Sequence, residues 1–425
     1  MKILAFVALL AAAQAGEVKT MTLREALARA LEQNPDVVLS RLDQQKARDQ
    51  ILIAKDPFYP KLYGGGGYAW TPAYPTTIDG NPPSIFEAHT DMVLFDRSQS
   101  YKVGQAKEGL RGAAIDVSKR QEEAAYQVAT LFLDAEQAAH SLASAQGRID
   151  NLAHVKELID ARVKEGRELP LESKRADLNV LKAKDAANKL TLNLINAETA
   201  LAQVLGMGPD DRVRAAQEER TAIAIPVSED ASIEEALEHS PELRRLESDM
   251  QMKTLEIKGY HAARLPKVNL VAQDNIFAKF NFTSAYGYTF HWNNPELGAS
   301  VTIPILVGHT AQAFASQAEA DLTKLHVEVG RTRSRITADL RRAYQEVKGA
   351  EDTRKLARAD LDFTRDELND NLAKFEEGRI PLASIEMLRA TENEKFLTYY
   401  VSQQTAERAR LNVLRLTGTL LAALK

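Results

Sequence analysis

Apolar and polar residues alternate along this chain in two rhythms, and each rhythm occurs twice. In the longer rhythm apolar residues return every three or four positions, as at Leu142, Ala145, Ile149, Leu152, Val155 and Ile159, and again at Ile336, Leu340, Tyr344 and Val347. That spacing lays one apolar stripe along a helix and leaves Glu, Lys, Arg, Asp and Gln on the remaining surface. It predicts a very long helix from about Arg97 to Glu165 and a second from about Thr310 to Glu377. Each ends at a break, Gly166 to Pro170 or Gly378 to Pro381, and each break is followed by a shorter helix, to about Leu205 or Leu416. The first long helix would extend about 100 Å. Helices this long are a mark of coiled coils, so the stripes read as seams between antiparallel helices. The charge run from Arg331 to Arg342 reads as a solvated face of such a helix.

The shorter rhythm has period two. Val268, Leu270, Ala272, Ile276, Ala278, Phe280 and Phe282 alternate with Asn269, Gln273, Asn275, Lys279, Asn281 and Thr283. Leu297, Ala299, Val301, Ile303 and Ile305 alternate with Ser300 and Thr302, and Phe86, Ala88, Met92 and Leu94 with Glu87, His89 and Asp91. These are half-buried strands. Of 27 aromatic residues, eight lie between Phe58 and Phe95 and seven between Phe277 and Trp292, with both tryptophans, Trp70 and Trp292, among them. Alternating segments flanked by aromatics fit a transmembrane barrel, although a water-soluble antiparallel sheet with one face on a core alternates in the same way.

The remaining elements expose a duplication. Thr22-Leu23-Arg24-Glu25-Ala26-Leu27 returns as Ser232-Ile233-Glu234-Glu235-Ala236-Leu237, and both read as capping boxes opening a helix. Asn34-Pro35-Asp36 returns as Ser240-Pro241-Glu242, and Pro60-Lys61-Leu62 as Pro266-Lys267-Val268. Gly166-Arg167 with Pro170-Leu171 returns as Gly378-Arg379 with Pro381-Leu382, and Leu205-Gly206 as Thr417-Gly418. The offset stays between 206 and 212 residues. One long unit has therefore been copied in tandem, with repeats at about 22–206 and 232–418, strands at about 61–95 and 267–306, and helical tips at about 166–172 and 378–384. A solenoid would repeat every 20–50 residues or so. Within each repeat a helix pauses at the Pro and resumes, to about Asp56 or Leu265; in the first repeat the resumed helix, Asp36 to Asp56, stacked end to end with the shorter helix after the tip, would match the one long helix. Residues 206–231 read as irregular.

Composition narrows the classes. The net charge of -5 offers no nucleic-acid footprint. There are no cysteines, hence no disulfide, thiolate metal site or lipidated N-terminal Cys. Residues 1–15 form a signal peptide: Lys2, the apolar stretch Ile3 to Ala13, and Ala13-Gln14-Ala15 before cleavage. The mature chain, 16–425, has no apolar run long enough for a membrane helix. If it crosses a bilayer it does so as strands of a closed barrel. Four strands per chain cannot close one, so several chains must share it. Gly64-Gly65-Gly66-Gly67 lacks the Lys and Ser or Thr of a phosphate loop and reads as a small-residue strand or turn that lets chains pack closely. The eight histidines are scattered, and no constellation for covalent, acid–base, metal or cofactor chemistry is visible. The chain reads as a non-enzyme without a cofactor.

Signal peptide, Leu-x-Glu-Ala-Leu helix, Asn-Pro-Asp, Pro-Lys-Leu strand entry, two strands, a long hairpin with a Gly-containing tip, and then the whole order again: this resembles the bacterial outer-membrane efflux proteins, the TolC-like family, over Thr22 to Gly418. The resemblance implies a mainly α fold with a small β part, in which long helical hairpins form a barrel below a transmembrane β-barrel shared by a homotrimer. It implies contact with outer-membrane lipid, a body reaching into the periplasm, and docking on a periplasmic adaptor and, through it, an inner-membrane transporter. The function implied is a passive exit duct of a tripartite efflux or type I secretion system. The other reading of the same helices is a periplasmic coiled-coil adaptor or scaffold without a channel, although an adaptor typically carries one hairpin rather than two.

In that family the periplasmic entrance lies at the hairpin tips, which makes Gly166, Arg167, Leu171, Gly378, Pro381 and Leu382 adaptor-docking candidates. An Asp six residues after the tip Gly constricts the pore of well-known members, and a nearby Arg locks it. Glu172 takes the acidic place here, while Ser384 stands where the second acid would be and Arg379 lies one position early. Those three residues are the gate candidates.

Overall fold

The computed structural model describes residues 18–66, 84–216, 224–226, 228–277, 293–305, 308–377, 379–380 and 382–424. Strand β1 (Val18–Met21) leads into helices α1 (Leu23–Gln33) and α2 (Pro35–Lys55), a short 3-10 turn (Asp56–Phe58), and strands β2 (Lys61–Gly65) and β3 (Ser84–Phe95). The long helix α3 (Arg97–Lys164) and its partner α4 (Pro170–Val204) follow, then strand β4 (Arg212–Ala215). The second repeat gives α5 (Glu229–His239), α6 (Pro241–Ala262), β5 (Lys267–Phe277), β6 (Asn293–Thr302), α7 (Thr310–Glu376), α8 (Leu382–Thr417) and a short α9 (Leu420–Leu424). The chain divides into two compact units, one of Met1–Ser40, Val117–Pro241 and Thr332–Lys425, the other of Arg41–Asp116 and Glu242–Arg331.

The first unit holds the main core. Ala26, Leu27 and Ala30 of α1 meet Val128, Phe132 and Leu133 of α3, Leu201 and Leu205 of α4, Val213 of β4, Leu411 and Leu414 of α8, and Leu420. Local chemistry sets the joints. Thr22 caps α1 in a capping box, its hydroxyl accepting from the Glu25 amide at 3.2 Å while Glu25 accepts from the Thr22 amide at 2.9 Å. Asn34 carries two tasks. Its Oδ1 accepts from the amides of Asp36 (3.0 Å) and Val37 (3.2 Å), and its Nδ2 donates to the Val204 carbonyl at 2.8 Å. It therefore starts α2 with Pro35 in the favoured first position and joins that start to the end of α4, as the stacked arrangement requires. Helices α4 and α8 both stop on a glycine with positive φ, +69° at Gly206 and +74° at Gly418. The following amides reach back to Ala202 and Leu414, at 3.0 Å each, as in a Schellman cap.

Two expectations change here. Ser232 does not cap a helix. Helix α5 begins a turn earlier, capped by the Ser228 hydroxyl on the Ala231 amide at 3.3 Å, with Glu229 and Asp230 in its first turn. Acids at a helix N-terminus favour that earlier start, and Ser232 is left fully buried, its hydroxyl 2.6 Å from that of Tyr344. The stretch 206–231 is not wholly irregular either. Strand β4 lies there, parallel to β1, with Val18 opposite Arg212 and Met21 opposite Ala215.

In the second unit α6 packs closely on α3. Leu255 approaches Gly104, Ser248 Oγ donates to the Glu108 carbonyl at 2.8 Å, and Arg245 reaches Asp116 at 3.1 Å across Gly112, where a side chain would collide with it. Tyr260 stacks on Phe314 of α7 at 5.5 Å, and Lys253 pairs with Asp321 at 3.4 Å. Above these helices β2, β3, β5 and β6 form one antiparallel sheet in that order.

Candidate functional site

The register of the sheet sorts most of its residues by face, with irregularities between Ser84 and Phe86 and between Val93 and Phe95. Leu62 lies opposite Thr90, Thr90 opposite Ala272, and Ala272 opposite Leu297. Met92, Leu270 and Ala299 form the next row. Most apolar positions of the four strands thus share a face, and a one-residue slip in any pair would scatter them. Among the described residues that face stays open: Leu62 is 77 % exposed, Leu297 81 % and Val301 59 %. The alternate face carries Tyr63 stacked on His89 at 5.2 Å, with Glu87 3.7 Å from that imidazole, and Asn269, Gln273 and Ser300. Polar residues also take apolar-row positions, Thr90 between Leu62 and Ala272, Asp274 opposite Ala88 and Pro295, and Asn293 opposite Ile276, while Val93 and Val271 lie on the alternate face. Among the described residues the sheet ends at β2 on one side and β6 on the other, so both carry an edge without a partner strand there. Trp70, Trp292, Phe280, Phe282 and the rest of the aromatic flank named from the sequence lie outside the described residues.

The helical tips lie at the ends of the two hairpins in the first unit. Gly166 takes φ +72°, its amide bonds the Val163 carbonyl at 3.0 Å, and the Arg167 amide bonds that of Arg162 at 2.9 Å. A side chain at Gly166 would meet open space, so the glycine serves the turn rather than packing. Leu171 stands 61 % exposed just inside α4. Glu172 sits in the first turn of α4 and accepts from Arg175 at 3.0 and 3.2 Å. In the second tip the Arg379 amide bonds the Lys374 carbonyl at 3.0 Å, the same reach across the turn, and its guanidinium pairs with Glu377 at 3.0 Å. Ser384 is half-buried in α8, which Leu382 opens; Gly378 and Pro381 lie outside the described residues. Glu172 and Arg379 are therefore each held within their own hairpin.

Sequence reasoning missed the polar clips that close each hairpin behind its tip. Asp160 of α3 accepts from the Ser173 hydroxyl of α4 at 2.6 Å, and Lys156 bridges Asp160 (3.0 Å) and Asp177 (3.2 Å). Ser173 and then Lys156 hold the Asp160 carboxyl below the usual aspartate range, and Asp160 with Asp177 raises Lys156. Between α7 and α8, Arg365 meets Glu392 at 2.9 Å and Lys395 meets Asp360 at 2.7 Å. A charged residue facing across a hairpin looks the same in sequence as one facing water, so spacing alone does not single these out. Among the described residues no cluster of His, Cys, Asp and Glu is arranged to hold a metal ion, and no helix is long and apolar enough to cross a membrane.

A family model described as outer membrane efflux protein matches residues 26–207 and again 232–424, one match per repeat. Solved structures share the fold at low identity. A membrane protein from Pseudomonas aeruginosa superposes with a TM-score of 0.74 at 17 % identity, covering 94 % of this chain and 91 % of that one. The CmeC outer membrane channel of Campylobacter jejuni gives 0.74 at 14 % identity, with 94 % and 86 % covered. The outer membrane protein VceC of Vibrio cholerae gives 0.70 at 14 %, with 93 % and 96 % covered. No curated protein sequence matches the chain significantly.

Proposed function

The chain belongs to the outer membrane efflux protein family, and we propose from this that it serves as a passive exit duct, three copies closing one channel. The observation that carries the reading is the two-faced sheet. Its apolar face stands exposed at Leu62, Leu297 and Val301, and among the described residues its edges β2 and β6 have no partner strand. Lipid satisfies the face, and neighbouring copies satisfy the edges. Four strands from each of three chains give a twelve-stranded barrel whose polar face, with Tyr63, Glu87 and His89, lines the lumen. Leu181 and Leu192 of α4 and Leu356 and Phe363 of α7 are also mostly exposed, and helices of adjacent copies would cover them.

On this reading the tips point into the periplasm. Gly166, Arg167, Leu171, Gly378, Pro381 and Leu382 are offered to an adaptor, and an inner-membrane pump feeds the duct from below. Three copies of Glu172 around one axis form an acidic ring, which favours cations. Three copies of Arg379 are free to exchange Glu377 for acids of the next chain and hold the entrance closed. Exposed pairs of this kind are individually worth about 0–1 kcal/mol, so adaptor binding could shift the entrance at small cost. Membrane fractionation with native mass measurement tests the channel: three chains in the outer membrane are expected, and a folded soluble monomer would end the proposal. Planar-bilayer recording tests the entrance. Arg379→Ser should raise conductance and Glu172→Gln should lower cation preference; if both conduct like the parent, the constriction lies elsewhere.

A further inference from the structure

The two helical hairpins of the first unit meet along α3 and α8, and the joint changes character on the way to the tips. Phe132 and Leu133 of α3 join Leu411 and Leu414 of α8 in the core. The next contacts are polar. Asp134 pairs with Arg408, the His140 ring lies tilted on that of Tyr400 with centroids 4.4 Å apart, and the Asn393 side chain donates to the Ser144 carbonyl at 3.5 Å. Gln404, 3 % exposed, donates to the Tyr400 hydroxyl at 3.0 Å. Its own Oε1 and the Nε of Arg408 are buried with no hydrogen-bond partner among the described residues. Each such atom weakens the closed joint, and water entering an opened joint satisfies it. We infer that His140 is a proton-operated latch between the hairpins: as the neutral imidazole it packs on Tyr400 and holds α8 against α3, and as the imidazolium it releases them. On the exit-duct reading above the freed tips are the entrance, so the consequence for transport rests on that reading, whereas the latch itself lies within one chain.

The surroundings decide the direction of the switch. On α3 the acid one turn before His140 is Glu136, itself 7 % exposed. On α8 Glu407 and Arg408 lie two turns past Tyr400, with Arg408 taken up by Asp134, and Lys395 lies on the other side, bound to Asp360 of α7 at 2.7 Å. Helix α4 runs beside α3 with Lys156 near Asp177, which brings Asn193 level with His140; to either side Lys189 binds Asp185 at 2.7 Å and Glu198 binds Arg214 at 2.9 Å. Burial outweighs these charges and pushes the His140 imidazole below the usual histidine range. Between that lowered value and about 6.5, the ordinary one, the closed joint binds fewer protons than the open joint. Closure is therefore complete above the window and weakens as pH falls through it. Each pH unit inside it shifts the open-to-closed ratio by up to about tenfold per chain. The place matching His140 in α7, 212 residues on as Gly378 is from Gly166, is Asp352, exposed and paired with Lys355 at 3.3 Å. Acid in this window thus acts on the first long helix and not on its copy.

The chain has no cysteine, so a single pair of spin labels can be placed across the joint at the exposed Gln146→Cys and Thr391→Cys. Full-length labelled chains, diluted into unlabelled ones in detergent, are taken from pH of about 7.5 to about 5, a range that spans the ordinary histidine value. The distance between the labels should lengthen in the parent and stay fixed in His140→Phe, which keeps the ring contact with Tyr400 and cannot take a proton; His140→Gln is the second variant should Phe fail to assemble. Deuterium exchange at the His140 ring carbon, followed peptide by peptide, should give a midpoint below about 6.5. A parent distance that does not change, an equal change in both variants, or a His140 midpoint at or above the ordinary value would overturn the latch. In planar bilayers the same acid step should raise the conductance of the parent and not of His140→Phe. If the labels separate and conductance stays level, the latch stands and its link to the entrance is wrong. If the chain proves a soluble monomer, the exit-duct reading falls and the label distances still decide the latch.

Discussion

Replacing Gly206 and Gly418 by Ala places the same methyl group at the same point of the two repeats, and the fold gives the two substitutions different costs. Both residues hold the left-handed conformation that ends a helix, φ +69° and +74°. A non-glycine residue there costs about 1–2 kcal/mol, offset by about 0.4–1 kcal/mol through the stiffer unfolded chain. At Gly418 the nearest atom to the new Cβ is the His239 carbonyl oxygen at 4.0 Å, an ordinary contact. Gly418→Ala should therefore cost about 1 kcal/mol. At Gly206 the matching oxygen, that of Gln33, is 2.3 Å away and its carbon 3.1 Å. Both are backbone atoms, so α1 or the end of α4 must move. Overpacking of this kind costs about 1–3 kcal/mol, and the movement strains the Asn34 bond to Val204, made at 2.8 Å by a residue 3 % exposed. Gly206→Ala should therefore cost about 3 kcal/mol in all. Hydrogen exchange on assembled protein reads the difference. A gap of about 2 kcal/mol means roughly 30-fold faster opening of α1 amides in Gly206→Ala than of α5 amides in Gly418→Ala. Equal losses of protection, or a larger loss in Gly418→Ala, would refute the reasoning from the Gln33 contact.

On the sheet, Leu270→Arg should destabilise liposome-reconstituted channels by about 2–4 kcal/mol in urea, and Asn269→Arg much less; equal costs would contradict a lipid-facing parity. Glu198 is 1 % exposed and binds Arg214 at 2.9 Å. Glu198→Gln should loosen β4 and β1 by about 1–2 kcal/mol, the half-exposed Arg214 limiting the effect, seen as faster exchange at Val213 before the α4 core opens. The Asp160 clip has a pH signature. Because its carboxyl is held below the usual range, its contribution is complete above that range and lost only as pH falls beneath it. Spin labels on α3 and α4 should separate in that acid window, and Ser173→Ala should move the separation to higher pH.

The helices were legible because their punctuation is strong. Gly166 to Pro170 marks the end of α3 within one residue of where it stops, and Asn34-Pro35 marks the joint between α1 and α2. The seam residues Ile336, Leu340 and Val347 are buried as their spacing predicts, while Arg331, Arg333, Arg341 and Arg342 are exposed. The strand parity survives in the register because alternation is a local property. What failed was non-local. Arg212-Val213-Arg214-Ala215 is too short to declare a period, and its partner strand is at the opposite end of the repeat. Glu198 reads in sequence as one more solvated acid on a helix, and only the fold buries it. At the tips a residue's neighbour three positions away, such as Arg175 beside Glu172, becomes informative only once the helix is built.

The parallel pairing of β1 with β4 has a consequence for the order of events during synthesis and export. Val18 finds its partner only at Arg212, so α1 to α4 must all emerge before the first strand has anything to bond. Strands β2 and β3 are near neighbours in sequence, whereas this strand waits for closure of a far longer loop. Its donors and acceptors meanwhile stay with water or with a chaperone. The β1–β4 pairing can therefore form only after α4 and β4 have been delivered, which makes it a late contact of the first repeat.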